Sequence, residues 1–313
     1  MGFISGIFGY LLNWLYEVFS NYGVAILIFS VILRVILIPI TIKQQKSMKK
    51  SAALQGEMSE IQKKYKNNPE KLNQETIELY KREKMSPFSG CLTSILQLVI
   101  ILSVFWLVSQ PLTYMKKIDN NLIDAYTTEM KESGYNSNNS YVQIATIDYA
   151  ETKYQEISKQ LEQENVENRE ELVKKQQEYN QLRLNMEFLG IDLSKVPTQN
   201  LNDWRVYVIP VLYVITSIIS TKLTTVTQKK KQKQDIVVPS EEDNKEVDPT
   251  EQMQQMSNSM MYMIPVMSVM IAIIAPLGLA LYWLASNILM IIERLIINKV
   301  MEKDDNKEES SNG

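Results

Sequence analysis

Residues 24–42 read VAILIFSVILRVILIPITI. As a helix rising ~1.5 Å per residue they extend roughly 28 Å, close to the ~30 Å hydrocarbon thickness of a bilayer. Fourteen of them are Val, Ile, Leu or Phe. At about −0.3 to −0.6 kcal/mol each, these favour insertion by roughly −4 to −8 kcal/mol in total. Arg34 sits in the middle and costs ~2.5–3.5 kcal/mol on insertion scales. The stretch therefore still inserts, but its guanidinium group cannot face lipid and must meet water or an anion.

Four more stretches have comparable length and composition: 91–110, 204–224, 259–275 and 276–298. Pro276 and Gly278 permit a tight turn between the last two, which then form a hairpin. Apolar runs alternating with charged stretches explain a mean hydropathy of only −0.16. The 313 residues include no histidine and one cysteine, Cys91. That excludes His-dependent nucleophiles, His metal sites, Cys-cluster zinc sites and intrachain disulfides. Neither GxGxxG nor GxxxxGK[ST] occurs, which argues against a nucleotide-driven enzyme. No cofactor is expected.

Orientation follows from the charged loops. Residues 43–90 hold eleven Lys/Arg against six Glu, and the 225–258 loop opens with Lys229, Lys230, Lys231 and Lys233. Both are expected in the cytoplasm, which puts the N-terminus outside and the C-terminus inside. The 43–90 loop is helical in period on both sides of Asn67-Asn68-Pro69, so it reads as a polar helical hairpin. Residues 111–203 lie outside. There Ile147, Ala150, Tyr154, Ile157 and Leu161 form a helical stripe, read as a helical hairpin or short coiled coil. Residues 1–23 place Phe3, Ile7, Leu11, Trp14, Leu15 and Val18 near one face, as in an outer interfacial helix. The 299–313 tail is short and acidic.

Ser30, Thr41 and Gln45 project within about 40° of Arg34 on a helix, giving the first span one polar stripe. The second span carries Thr93, Ser94 and Gln97. The fifth pairs Tyr282 with Ser286 and Trp283 with Asn287, each one turn apart. Together they can line a hydrated groove open to the cytoplasm, with Arg34 as an unpaired cation whose acidic partner arrives with a substrate. Two alternatives stand beside this reading. Arg34 can form a structural ion pair with Glu293, and the polar side chains can serve as helix–helix hydrogen bonds. Met253, Met256, Met260, Met263, Met267 and Met270 follow 3-4-3-4-3 spacing. They are either hairpin packing or a soft slide for varied apolar segments, centred on Met260, Met263 and Met267.

The stretches NYGVAILIFSVILRVILIPITIKQQKSMKK, SPFSGCLTSILQ, FLGID and MMYMIPVMSVMIAIIAPLGLALYWLASNI resemble the YidC family of membrane-protein insertases. The resemblance implies a five-helix bundle in a bacterial cell membrane around a groove closed on the outside. It puts the groove arginine at Arg34 and lining positions at Ser30, Gln97 and Trp283. It also implies nascent membrane proteins as substrates and the Sec translocon and ribosome as partners, with no nucleotide. The tail from Lys299 has three Lys against five acids, unlike the long basic tail with which some members dock the ribosome. The rival readings are a secondary transporter with an anion site at Arg34 and a structural membrane scaffold. A transporter of this size usually shows repeated halves and broken helices.

Overall fold

The computed structural model describes residues 2–83, 89–135, 141–163, 168–235 and 270–311. In chain order, α1 (Gly2–Phe19) leads into α2 (Tyr22–Ala53), then α3 (Gln55–Lys64), α4 (Pro69–Arg82) and α5 (Ser89–Ser109). Next come α6 (Pro111–Tyr114), α7 (Asn120–Glu132), α8 (Val142–Leu161) and α9 (Arg169–Leu182). A hairpin of β1 (Glu187–Phe188) and β2 (Ile191–Asp192) and two short 3-10 turns precede α10 (Val208–Asp235) and α11 (Leu277–Ser311).

Among the described residues, three stretches are long and apolar enough to cross a membrane: Tyr22–Ser47, Trp204–Leu223 and Leu277–Ile297. They leave large apolar side chains such as Val35, Ile36, Val211, Ile218, Ile292 and Leu295 exposed, as lipid-facing surfaces require. The 91–110 stretch falls on α5, Ser89–Ser109, with an apolar run at Leu98–Ser109 among the described residues. Most of the 259–275 stretch, with Met260, Met263 and Met267, lies outside the described residues. The apolar stretch of α11 ends at Ile297, beside the expected end of the fifth span at 298, and the helix itself runs on to Ser311 through the acidic tail. No Gly or Pro before Gly313 stops it.

Two compact units divide the chain. The first comprises Met1–Leu33, Val99–Tyr213 and Val269–Ser286. In its 111–203 part α8 and α9 pack on each other, the helical hairpin that the sequence suggests, and α7 joins them against α8. Ile123, Met130, Ile147, Ala150, Tyr179 and Leu182 are buried there. Fully burying a side chain such as Ile147 contributes about 1.5–3 kcal/mol. In the predicted stripe, Ile147, Ala150 and Ile157 are buried, while Tyr154 lies under the Arg183 guanidinium, 3.7 Å from its ring centre. The C-terminal carbonyls of α9 are capped from outside the helix. Lys116 Nζ donates to Gln181 O at 2.6 Å and Arg183 O at 2.9 Å. Burial, and then the Arg183 charge, pull the Lys116 pKa down to about 8.

The β-hairpin turns through Leu189 and Gly190, with φ of 51° and 77°. Two left-handed residues in a two-residue loop match the twist of the flanking strands. The segment around it fastens the beginnings of two long helices. Tyr22 N donates to Asn185 O at 3.0 Å, and Asn185 Nδ2 donates to Ser20 O at 3.0 Å. Leu277 N donates to Lys195 O and Gly278 N to Leu193 O, both at 2.9 Å. These loop carbonyls satisfy N–H groups that the first turn of α11 leaves open.

α1 packs Ser5, Gly9, Leu12 and Leu15 inward and exposes Phe3, Ile7, Tyr10, Trp14 and Val18. Leu15 therefore belongs to the protein-facing side, not to the exposed apolar stripe, and Tyr10 takes its place. Gly9 is needed for close approach: a Cβ there would lie 1.7 Å from the Tyr114 carbonyl oxygen.

The second unit comprises Arg34–Leu98, Val214–Ser268 and Asn287–Gly313. In it α3 and α4 form a mostly polar antiparallel pair with Leu54 and Leu79 buried. Asn68 caps α4 by accepting from Lys71 N at 3.1 Å, and Pro69 opens the helix. An Arg82–Glu57 ion pair joins the two helices.

Candidate functional site

Arg34, on the apolar part of α2, meets Glu293 of α11, with Nε 2.9 Å from Oε2. The two side chains are 17% and 7% exposed. The expected unpaired cation is thus corrected: Arg34 has a resident carboxylate partner. The physical reason is the cost of leaving either charge alone in a low-dielectric setting, several kcal/mol per ion. The contact is one of charge and not of aligned donors. Arg34 Nε makes no directed hydrogen bond, and Glu293 Oε1 accepts none among the described residues. Arg294, next along α11, is half-buried, and the charges of Arg34 and Glu293 both act on it.

One turn before Arg34, the buried Ser30 donates its hydroxyl to Ile26 O at 2.7 Å. Its hydroxyl proton is therefore used within its own helix, a common arrangement for Ser in apolar helices. Thr41 does the same with Leu37 O at 3.2 Å. Tyr282 is buried, and the half-exposed Trp283 stacks on Tyr213 with ring centres 6.3 Å apart. Asn287 Nδ2 donates to Thr216 Oγ1 at 3.2 Å and Ser217 Oγ at 3.1 Å, a polar link between α10 and α11. The sequence reading missed the α10 half of this link. Adjacent hydroxyls within an apolar run were the available signal. The side chains of Thr93 and Gln97, like Met260, Met263 and Met267, lie outside the described residues. The structure thus brings Arg34 together with Glu293 and Arg294, and Asn287 together with Thr216 and Ser217.

A separate polar cavity of about 740 Å³ lies among α8, α9 and the β-hairpin in the first unit. Its charges are largely partnered from within. Arg183 Nε donates to Glu151 Oε2 at 2.6 Å, and Lys195 pairs with Asp203 at 3.2 Å. Burial raises the Glu151 pKa, but hydrogen bonds from Arg183 and Gln155 outweigh it and leave the carboxyl below its ordinary range. Asp148 is pushed the other way, up, chiefly by burial. Among the described residues no group of three His, Cys, Asp or Glu side chains is placed to hold a metal.

A model of the 60Kd inner membrane protein family matches residues 14–305. A membrane protein insertase YidC from Caldanaerobacter subterraneus subsp. tengcongensis is 42% identical over 105 residues, 34% of this chain and 51% of that protein. One from Treponema denticola is 25% identical over 288 residues, 92% of this chain and 36% of that protein. One from Fusobacterium nucleatum is 41% identical over 96 residues, 31% of this chain and 47% of that protein. The matched regions span about half or less of the length of these curated relatives.

Proposed function

The chain belongs to the 60Kd inner membrane protein family, and from that premise we propose that it is a membrane-protein insertase of the bacterial cell membrane. The observation that carries the reading is Arg34, a partly exposed cation on a helix otherwise apolar enough to span. Moving an Asp across a bilayer centre costs ~2.5–3.5 kcal/mol on insertion scales. A guanidinium held at depth lowers that cost for the polar tail of a client. Apolar partitioning of the client's own span then drives the net step, without nucleotide. Arg34, Ser30, Thr93, Gln97, Tyr282 and Trp283 line the groove, and Met260, Met263 and Met267 form the slide by which the span leaves.

In this reading the chain has five spans, with its N-terminus outside and its C-terminus in the cytoplasm. The exposed stripe of α1 rests in the outer interface, and nascent membrane proteins are the substrates. The Sec translocon and the ribosome are partners. Supporting the shared topology of α2 and α11, the 185–195 segment bonds to the beginnings of both helices.

Reconstitution of the full chain in nucleotide-free liposomes tests this. Small single-span clients with matched acidic and neutral tails should insert. Arg34→Ala should reduce insertion most for the acidic tail, and Arg34→Lys should keep much of it, since the charge stays while fork geometry is lost. A transporter would move a solute and insert nothing, and a scaffold would do neither.

A further inference from the structure

Three exposed apolar side chains lie in the segment that leads into α10. Leu189, at the tip of the β-hairpin, is 85% exposed, Leu201 is 67% exposed, and Trp204, which opens the second 3-10 turn, is 73% exposed. Leu201 sits in the turn that Asp203 N closes on Asn200 O at 3.1 Å. β2 packs against the second 3-10 turn, and Arg205 Nη1 donates to Gly190 O at 3.2 Å, which fastens the hairpin tip beside Trp204. Leu189 is out of place by two measures. Its φ of 51° is left-handed, a conformation that Asn, Asp or Gly takes readily at the first position of a two-residue hairpin loop and that strains a leucine. Its side chain also gains no burial within the protein. A strained, uncovered apolar tip makes physical sense where something outside the chain covers it.

We propose that Leu189, Leu201 and Trp204 form an anchor that dips into the outer lipid–water interface, covered there by the boundary between headgroups and acyl chains. Continuity carries this. Trp204 opens the apolar stretch Trp204–Leu223, so it stands where hydrocarbon gives way to headgroups, the level at which Trp collects. The exposed Val211 and Leu212 continue the apolar surface further along α10. Charged side chains flank the anchor: Lys195 pairs with Asp203 at 3.2 Å, and Arg205 pairs with the same carboxylate at 2.9 Å. Such groups are costly in hydrocarbon but at home among headgroups, which keeps the anchor shallow. The inference rests on α10 crossing the membrane, as in the reading above, and not on insertase activity. Its consequence is mechanical. Gly190 and Arg205 also line the polar cavity, so the depth of the tip sets the height of that cavity's rim above the lipid.

The test uses the full chain carrying Cys91→Ser and one introduced cysteine, reconstituted in liposomes of phosphatidylcholine and phosphatidylglycerol. A small fluorophore is attached after Leu189→Cys, Leu201→Cys, Glu162→Cys or Ile215→Cys. Each label is quenched in turn by iodide on both sides of the bilayer, by a lipid with a nitroxide near the ester and by one with a nitroxide near the chain end. Labels at positions 189 and 201 should lose most of their emission to the shallow nitroxide and little to the deep one or to iodide. A label at position 162, exposed at the C-terminal end of α8, should respond to iodide alone. Two anchor positions keep the proposal testable if one variant does not fold. Iodide quenching at positions 189 and 201 as strong as at position 162 would overturn the anchor. Shielding from all three quenchers, as under a second copy of the chain or another protein, would overturn it as well. Position 215 lies midway along the apolar stretch of α10 and is exposed. If its label escapes both nitroxides, the membrane reading of α10 itself fails. If the deep nitroxide reaches it while positions 189 and 201 stay in water, only the anchor fails.

Discussion

Gly6 and Gly9 lie on the same helix three residues apart, yet alanine at the two positions should act with opposite sign. A Cβ at Gly9 would lie 1.7 Å from Tyr114 O, 2.6 Å from Tyr114 C and 3.2 Å from Met115 N. Ordinary carbon–oxygen approach is about 3.3–3.6 Å, so α1 must move away from α6 by about 1.6 Å. Both sides of this contact are backbone, and α6 is held by the buried Leu112 and Met115. Overpacking costs roughly 1–3 kcal/mol, with a backbone–backbone clash at the upper end. The helix propensity of alanine over glycine offsets about 1 kcal/mol of that. Gly9→Ala should therefore lose about 2 kcal/mol. At Gly6 the nearest atom to a new Cβ is Lys117 Nζ at 3.4 Å, the end of a long, exposed side chain that donates to Gly6 O at 3.3 Å and can shift by the few tenths of an ångström required. Gly6→Ala should gain roughly 0.5–1 kcal/mol. Unfolding of both variants in the same detergent, followed by far-UV circular dichroism, should rank them below and above the unaltered protein. A Gly9→Ala protein as stable as the parent would show that α1 does not dock on α6 as described.

The ion pair predicts a coupled mutant cycle. Glu293→Ala and Arg34→Ala each leave a largely buried charge without its partner and should each cost about 3–5 kcal/mol. The double variant should cost much less than the sum, and additive losses on melting in detergent would count against the pair. Asp148 supplies a pH test. Burial raises its folded pKa above the ordinary 3.8, although Tyr135 donates a hydrogen bond to Oδ2 at 2.8 Å. Folding thus favours the protonated form; that contribution is fully present below the unfolded pKa and is lost as pH rises through the folded one. Asp148→Asn, which can still accept from Tyr135, should raise the melting temperature near pH 7 and change it little near pH 3–4; a pH-independent difference would contradict this.

The long apolar helices were readable because membrane length and hydropathy are local properties: the runs at 24–42, 204–224 and 276–298 fall on α2, α10 and α11. Arg34 was readable for the same reason, as one charge in an apolar run. Its state was not. Whether Glu293 reaches it depends on how α2 and α11 are rotated and staggered, and that is fixed by packing between distant parts of the chain. The two-residue strands of the FLGID hairpin carry no periodicity to detect. α7 is legible after the fact in the 3-4 spacing of Ile123, Tyr126 and Met130, a stripe too short to stand out beside the membrane-length runs. Ser30 shows the limit of a polar stripe as a signal, since its hydroxyl donates to its own helix.

The bonds from Tyr22 to Asn185 and from Leu277 to Lys195 have a consequence for the protein's own biogenesis. Each closes a long stretch of chain, so the entropy of closure delays it until most of the molecule has been made. Until then the Leu277 and Gly278 N–H groups, left open by the first turn of α11, have to find water instead. Only a chain that has brought residues 185–195 to the same side as the beginnings of α2 and α11 can close both contacts. The segment thus ties the starts of the two long helices together: a chain in which those starts lie apart leaves at least one of the two contacts unmade.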